Sequence, residues 1–317
     1  MNKICIIGVY FGRFNKYFSL WLKSCAHNPT IDFLIYTDAV HPDVLPANVR
    51  FEYMTIPKFN ELASRKLGIE VCIKRPYKCC DFKPMYGLIF EDDIRQYCYW
   101  GECDFDLIWG DLQSYFDKYN LFNYDKFSPL GHLSLYKNTY EVNRSFMLEG
   151  DNCGGWKHVV QSNENFAFDE IPGICEIFIK NNLAFFKSKL FADITPMYER
   201  FKISEYCYLD DNRIMNYNHQ IFYWEDGKIY RSYIDDDMSV KREEFMYIHF
   251  RSRPNFVIND MLETCSSFLI TNAGFIIKDS EISIQLIQSY NPYKSKWYEM
   301  GEWLFHKLKS IKRIFIL

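Results

Sequence analysis

Several features that would place a chain in a familiar class are missing from this sequence. Over 317 residues no uninterrupted apolar run reaches about 18 residues, the length that spans a bilayer, so no membrane-crossing segment is expected. The N-terminus has one Lys ahead of a short apolar run, without the length or cleavage pattern of a secretory signal, and the cytoplasm is the expected compartment. The 11 cysteines include no Cys-x-x-Cys pair, and Cys79 and Cys80 are adjacent, so reduced thiols are expected rather than a disulfide framework or a zinc ribbon. With 37 Lys and Arg against 41 Asp and Glu, the net charge of -4 supplies no field for a polyanion and argues against nucleic acid as a partner. Gly8, Gly12, Gly154 and Gly155 do not assemble into a phosphate loop or dinucleotide fingerprint, and no Gly-x-Ser-x-Gly occurs. No repeat, low-complexity tract or Gly/Ser linker marks a boundary before about residue 280, which predicts one large unit over residues 1–280 and an appendage over 281–317.

What is present is a large apolar and aromatic content, 48% and 19%, enough for a core with aromatics left for clefts. Residues 4–9 (ICIIGV) read as a buried first strand, residues 18–26 as a helix and residues 32–36 (DFLIY) as a second strand, the opening of a βαβ unit. A strand over 49–56 and helices over 60–67 and 83–96 follow, the last with Met85, Ile89 and Ile94 on one side and Pro84 in its first turn. Strands are predicted over 131–136, 183–190 and 245–250 (FMYIHF), and Asp226-Gly227 between aromatic flanks predicts a hairpin over 221–233. Asp235, Asp236 and Asp237 read as a solvated loop, because consecutive side chains do not converge on one face. From Tyr293 onward, Trp297, Met300, Leu304, Leu308 and Ile311 fall at helical spacing among Lys307, Lys309, Lys312 and Arg313, a basic amphipathic helix whose apolar side could cover the protein's own core or a membrane surface.

The chemistry centres on residues 99–112, YWGECDFDLIWGDL. In extended backbone, side chains two apart share a face, so Asp104 and Asp106 present paired carboxylates. Hard cations such as Mg²⁺ and Mn²⁺ take oxygen ligands and commonly bridge protein carboxylates to substrate phosphates. The pair is embedded among Tyr99, Trp100, Phe105, Leu107, Ile108 and Trp109, where bare carboxylates would be costly without a compensating cation.

Residues 77–138, which include YKCCDFKPMYGLIFEDDIRQYCYWGECDFDLIWGDL, resemble Asp-x-Asp glycosyltransferases of the GT-A fold from bacterial polysaccharide clusters, more weakly through NENFAFDE (163–170) and YIHFRSRP (247–254). The resemblance implies an α/β fold with a Rossmann-like central mixed sheet flanked by helices and a C-terminal amphipathic helix. It implies a hexosyltransferase using a nucleotide-sugar donor, with a uridine diphosphate sugar first in line, and a saccharide or lipid-linked acceptor. Mn²⁺ or Mg²⁺ would be held by Asp104 and Asp106, with His249 completing the shell. Val9, Tyr10, Phe11 and Asp38 would line the nucleotide pocket, Asp81 and Lys83 would reach the donor sugar and phosphates, and Arg251 and Arg253 would hold the diphosphate in fork geometry. Five of these have a plainer alternative: Tyr10, Phe11 and His249 as core, Asp38 as a turn residue, Asp81 as a helix cap. Asp169 and Glu170 are candidates for the base that deprotonates the acceptor in an inverting transfer, with Asp169 equally suited to a cap. His132, in GHLSLY, is assigned to the acceptor side. A retaining mechanism needs no such base. Two rivals stand beside this reading: a sugar nucleotidyltransferase, for which VYFGRFNK lacks the glycine-rich phosphate loop, and a non-catalytic carbohydrate-binding protein.

Overall fold

The computed structural model describes residues 3–205, 209, 214–251, 253, 256–292 and 294–314, with side chains described as far as residue 308 of the last helix. The chain begins with β1 (Ile4–Tyr10), the helix Phe18–Ala26, β2 (Ile31–Thr37), β3 (Val49–Tyr53) and the helix Ile56–Leu67. There follow β4 (Tyr99–Cys103), β5 (Leu107–Trp109), β6 (Lys126–Leu130), β7 (Leu133–Lys137), β8 (Phe185–Phe186) and β9 (Ala192–Asp193). The C-terminal part contributes β10 (Gln220–Glu225), β11 (Lys228–Ile234), β12 (Val240–Phe245), β13 (Tyr247–His249), β14 (Ser267–Thr271) and β15 (Gly274–Ile277).

A mixed seven-stranded sheet of order β3-β2-β1-β4-β7-β6-β8 forms the centre. Its first four strands run parallel, and β7 joins antiparallel to both β4 and β6. Strand side chains alternate between faces, and here both faces are covered. Ile4 and Ile6 of β1 enter one core with Phe33 and Ile35 of β2, while Cys5 and Ile7 enter the other with Leu34 and Tyr36. An antiparallel sheet of order β12-β11-β10-β14-β15 and a small sheet of order β5-β13-β9 complete the α/β architecture. The helix Phe18–Ala26 links these layers: Phe18 and Trp21 pack with the main sheet, and Leu20 with Trp224 and Ile248. Buried Asn28 beyond it accepts from the Leu112 amide and donates to the Gly110 carbonyl, tying the helix to the end of β5.

Four expectations need correction. The strand from Val49 stops at Tyr53, because Thr55 caps a helix starting at Ile56. Residues 83–96 are not one helix: a 3-10 stretch, Pro76–Met85, gives way to a single α-turn, Tyr86–Ile89, and then to turns. Pro84 lies inside that stretch and supplies no amide hydrogen, and neighbouring Lys83 is fixed by buried ion pairs rather than a helical ladder. Residues 245–250 are split at Met246, whose N–H donates to Leu190 and whose carbonyl accepts from Gly110, so the chain leaves the five-stranded sheet and enters the small one. Of 183–190 only Phe185–Phe186 is strand.

The Asp226-Gly227 hairpin forms as expected, with positive φ of 47° and 84° at its two central residues. None of the described cysteines is in a disulfide. Among the described residues no helix is long and apolar enough to cross a membrane. The helix Ile284–Tyr290 contacts β10 and β11, and the final helix, Lys296–Ile314, is pinned by Glu299 to Arg200 and Lys202 at 2.7 Å each. Its Trp297, Met300, Leu304 and Leu308 are exposed. Tyr293 and the side chains of Lys309, Ile311, Lys312 and Arg313 lie outside the described residues, as do Ser252 and Pro254.

Candidate functional site

Asp104, Phe105 and Asp106 form a bend between β4 and β5 rather than one continuous strand. The alternation expected of extended backbone still holds. Phe105 is buried against Tyr10, Phe18 and Trp21, and a side chain on Gly8 would have no room beside its ring. Asp104 and Asp106 are turned the other way and half-buried, and both line two cavities. The bend is fixed by the Asp104 amide donating to His132 and the Phe250 amide donating to the Asp106 carbonyl.

β13 pairs antiparallel with β5 and so brings His249 against the bend. The imidazole Nε2 is 3.2 Å from Asp106 Oδ1, and Nδ1 is 2.9 Å from Asp193 Oδ1. Asp104, Asp106 and His249 each offer a ligand atom within 4.8 Å of the others, a donor set of two carboxylates and one imidazole that fits a divalent cation. Burial alone would lower the His249 pKa, but the hydrogen bonds with Asp106 and Asp193 outweigh it and raise it to about 9.

On the other side of Asp104 stands Lys83. Its ammonium is buried 2.5 Å from Asp104 Oδ1 and 2.5 Å from the Gly131 carbonyl, with Glu102 at 3.5 Å and Asp169 at 3.7 Å. Burial disfavours its charge, yet Asp104 and Glu102 hold its pKa well above the usual value. Lys83 therefore anchors Asp104 instead of pointing freely at a ligand. Glu102 is fully buried with neither carboxyl oxygen hydrogen-bonded, and burial pushes its pKa far up. Asp169 is pushed up to about 7, chiefly by burial, and Glu170 is raised for the same reason.

The two cavities hold about 720 Å³ and about 540 Å³. Val9, Tyr10, Phe11, Lys83 and Asp169 line the larger, and His132, Asp193, His249 and Arg251 the smaller. Tyr77, Asp104, Asp106 and Glu170 border both. His132 is buried, bonded through Nδ1 to the Tyr247 hydroxyl at 2.8 Å and stacked on His249 at 4.3 Å. Burial and the neighbouring His249 charge hold its pKa far down.

Three expected ligand groups are engaged elsewhere. Asp38 accepts from the Gly12 amide at 2.9 Å and lines neither cavity, so it shapes the loop after β1. Asp81 borders the larger cavity but is not a helix cap: its buried carboxylate accepts from the Phe166 and Phe168 amides and from Lys78, holding the loop that carries Asp169. Arg253 donates to the Phe250 and Thr195 carbonyls at 3.1 Å and 3.2 Å, so no fork with Arg251 forms. Arg251, at a positive φ of 52°, ends the strand run and directs its guanidinium to Asp193 instead. Asp193, Tyr77 and Glu102 were not singled out from the sequence. Glu102, an acid inside an otherwise apolar strand, was the one with a visible signal.

A family model matches residues 6–279. The chain belongs to that family, DUF6625, a family of unknown function. The match takes in the Asp104 bend, the loop of Asp169 and Glu170, and β13. No curated protein matches the sequence. Among solved structures, the chain is similar to the apo form of mouse xyloside xylosyltransferase 1, at 8% identity and a TM-score of 0.35, over 60% of this chain and 87% of that one.

The proton on His249 Nε2 stands where a cation held by this donor set would need a bare lone pair. With the imidazole raised to about 9, cation affinity is expected to climb close to tenfold per pH unit between pH 6.5 and 8.5. Calorimetric titration with Mg²⁺ across that range checks this, and an affinity independent of pH would contradict it.

Proposed function

We propose that the chain is a cation-dependent glycosyltransferase of the GT-A kind. It would move a hexose from a nucleoside diphosphate donor, a uridine diphosphate sugar first in line, to a saccharide or lipid-linked saccharide in cell-surface polysaccharide synthesis. The observation that carries this reading is the wall shared by the two cavities: a group-transfer enzyme needs donor and acceptor to meet at one atom, and the carboxylates of Asp104 and Asp106 belong to the lining common to both.

Ligands of open α/β sheets bind beyond the carboxyl ends of parallel strands, where Val9, Tyr10 and Phe11 offer apolar and aromatic surface to a nucleoside. The acceptor would enter the smaller cavity beside His132. The shared wall is acidic, and by itself it repels a diphosphate. Mn²⁺ or Mg²⁺ held by Asp104, Asp106 and His249 would reverse that charge and stabilise the departing nucleotide. Lys83 holds Asp104 in place, and Arg251, at the edge of the smaller cavity, adds positive charge toward the phosphates.

In an inverting transfer, the acceptor oxygen bonds to the anomeric carbon as the bond from that carbon to the phosphate oxygen breaks. Glu170, which borders both cavities, would take the acceptor proton; Asp169, pushed up to about 7, is the second candidate for that base. The exposed apolar residues of the helix Lys296–Ile314 support action at a membrane surface.

Purified protein with Mn²⁺ and a panel of nucleotide sugars should release nucleoside diphosphate from at least one donor. Chelation should abolish this, and Asp106→Ala should lower it about 100-fold or more while leaving the fold intact. Absence of release from every donor, or an unaffected variant, would refute the reading. Flotation with anionic vesicles is expected for the full chain and should disappear when the residues beyond 293 are removed; equal flotation of both would dismiss the membrane role.

A further inference from the structure

Asp193 lies on β9, far from the Asp104 bend in sequence, yet it borders the same cavity. The register of β9 against β13 places Asp193 directly beside His249, and the Ile194 amide donates to the His249 carbonyl at 2.8 Å. The contact between the two side chains is therefore set by backbone pairing on a sheet rather than by a free rotamer. Asp193 is 2% exposed. Its Oδ1 is 2.9 Å from His249 Nδ1, and its Oδ2 is 3.2 Å from the Arg251 guanidinium.

We infer that Asp193 is a positioning residue: its carboxylate holds the Nδ1 proton of His249, fixing ring and tautomer so that Nε2 faces the cation site at Asp104 and Asp106. This rests on the cation reading proposed above. An imidazole that ligates a metal through one nitrogen commonly donates from the other to a carboxylate, which orients the ring and raises its basicity. The stack of His132 on the imidazole at 4.3 Å limits its rotation further.

One competing arrangement has support in the geometry. His132, Asp193 and His249 also offer ligand atoms within 4.8 Å of one another, and His132 Nε2 has no hydrogen-bond partner. A cation held there would have to part Asp193 from His249, and it would stand beside the Arg251 guanidinium already bonded to the same carboxylate. Both costs favour the positioning role.

The test is a titration of the full chain with Mn²⁺, following the free ion by electron paramagnetic resonance. The wild-type chain should bind one equivalent, Asp106→Ala should lose it, and Asp193→Asn should bind roughly 10- to 100-fold more weakly. Ring nitrogen shifts of His249 in the wild-type chain saturated with Mg²⁺ should show the proton on Nδ1, a readout that does not depend on a variant folding. Failure of the wild-type chain to bind would overturn the cation reading and this inference with it. Binding by wild type with unchanged affinity in Asp193→Asn, or a bare Nδ1 in the Mg²⁺ complex, would overturn the positioning role alone. A second equivalent that disappears in Asp193→Ala would make Asp193 a ligand in its own right and also overturn it.

Discussion

The imidazole of His249, held between Asp106 and Asp193, is the contact on which the arrangement of the site depends. It joins three segments far apart in the chain: the bend after β4, the short strand β9 and the last strand of the small sheet. The backbone ladders of β5, β13 and β9 bring these residues together, so the geometry is imposed by strand pairing. The buried imidazole is shared between the two carboxylates, and the Arg251 guanidinium also sits on Asp193, so the charges of the cluster are compensated within it.

The electrostatics beneath the bend follow the same logic. Glu102, Asp104 and Asp169 surround the Lys83 ammonium, whose one positive charge cannot balance three ionised carboxylates. Burial resolves the excess by pushing the carboxyl groups of Glu102 and Asp169 upward, toward their neutral forms, while Asp106 is held down by its hydrogen bond to His249 despite its own burial. Of these groups Asp169, raised toward its neutral form, and Asp106, held below its usual value, line the cavities, whereas Glu102 lines neither. An ionised rim facing a cleft is the element that would draw a divalent cation there rather than into the core.

How far this was legible in the sequence depended on the range of the interaction. The helix Phe18–Ala26 and strands β1 and β2 were readable because local apolar spacing and burial agree, and the Asp226-Gly227 turn because its backbone demands those residues. The pairing of Asp104 with Asp106 was readable from alternation alone, even though the segment bends. The expected helix over 83–96 failed for an instructive reason: Met85, Ile89 and Ile94 are indeed buried, but from a 3-10 stretch and turns fixed by ion pairs. Strands β14 and β15 and the split at Met246 depend on which sheet each segment joins, which local pattern does not encode. Asp193 is one acid in FADIT, and its partner is set by a parallel pairing with β13. Arg253 looked like a ligand because a guanidinium suits a diphosphate, and Asp38 because the resemblance puts the end of the second strand at the nucleotide pocket, while their donors and acceptors are taken by backbone groups.

Anomalous diffraction from crystals grown with Mn²⁺ tests the central claim most directly. The account predicts one manganese peak in contact with a carboxylate oxygen of Asp104, a carboxylate oxygen of Asp106 and Nε2 of His249, with Asp193 still bonded to Nδ1. A peak among His132, Asp193 and His249 instead, or no peak at the bend under saturating Mn²⁺, would contradict it.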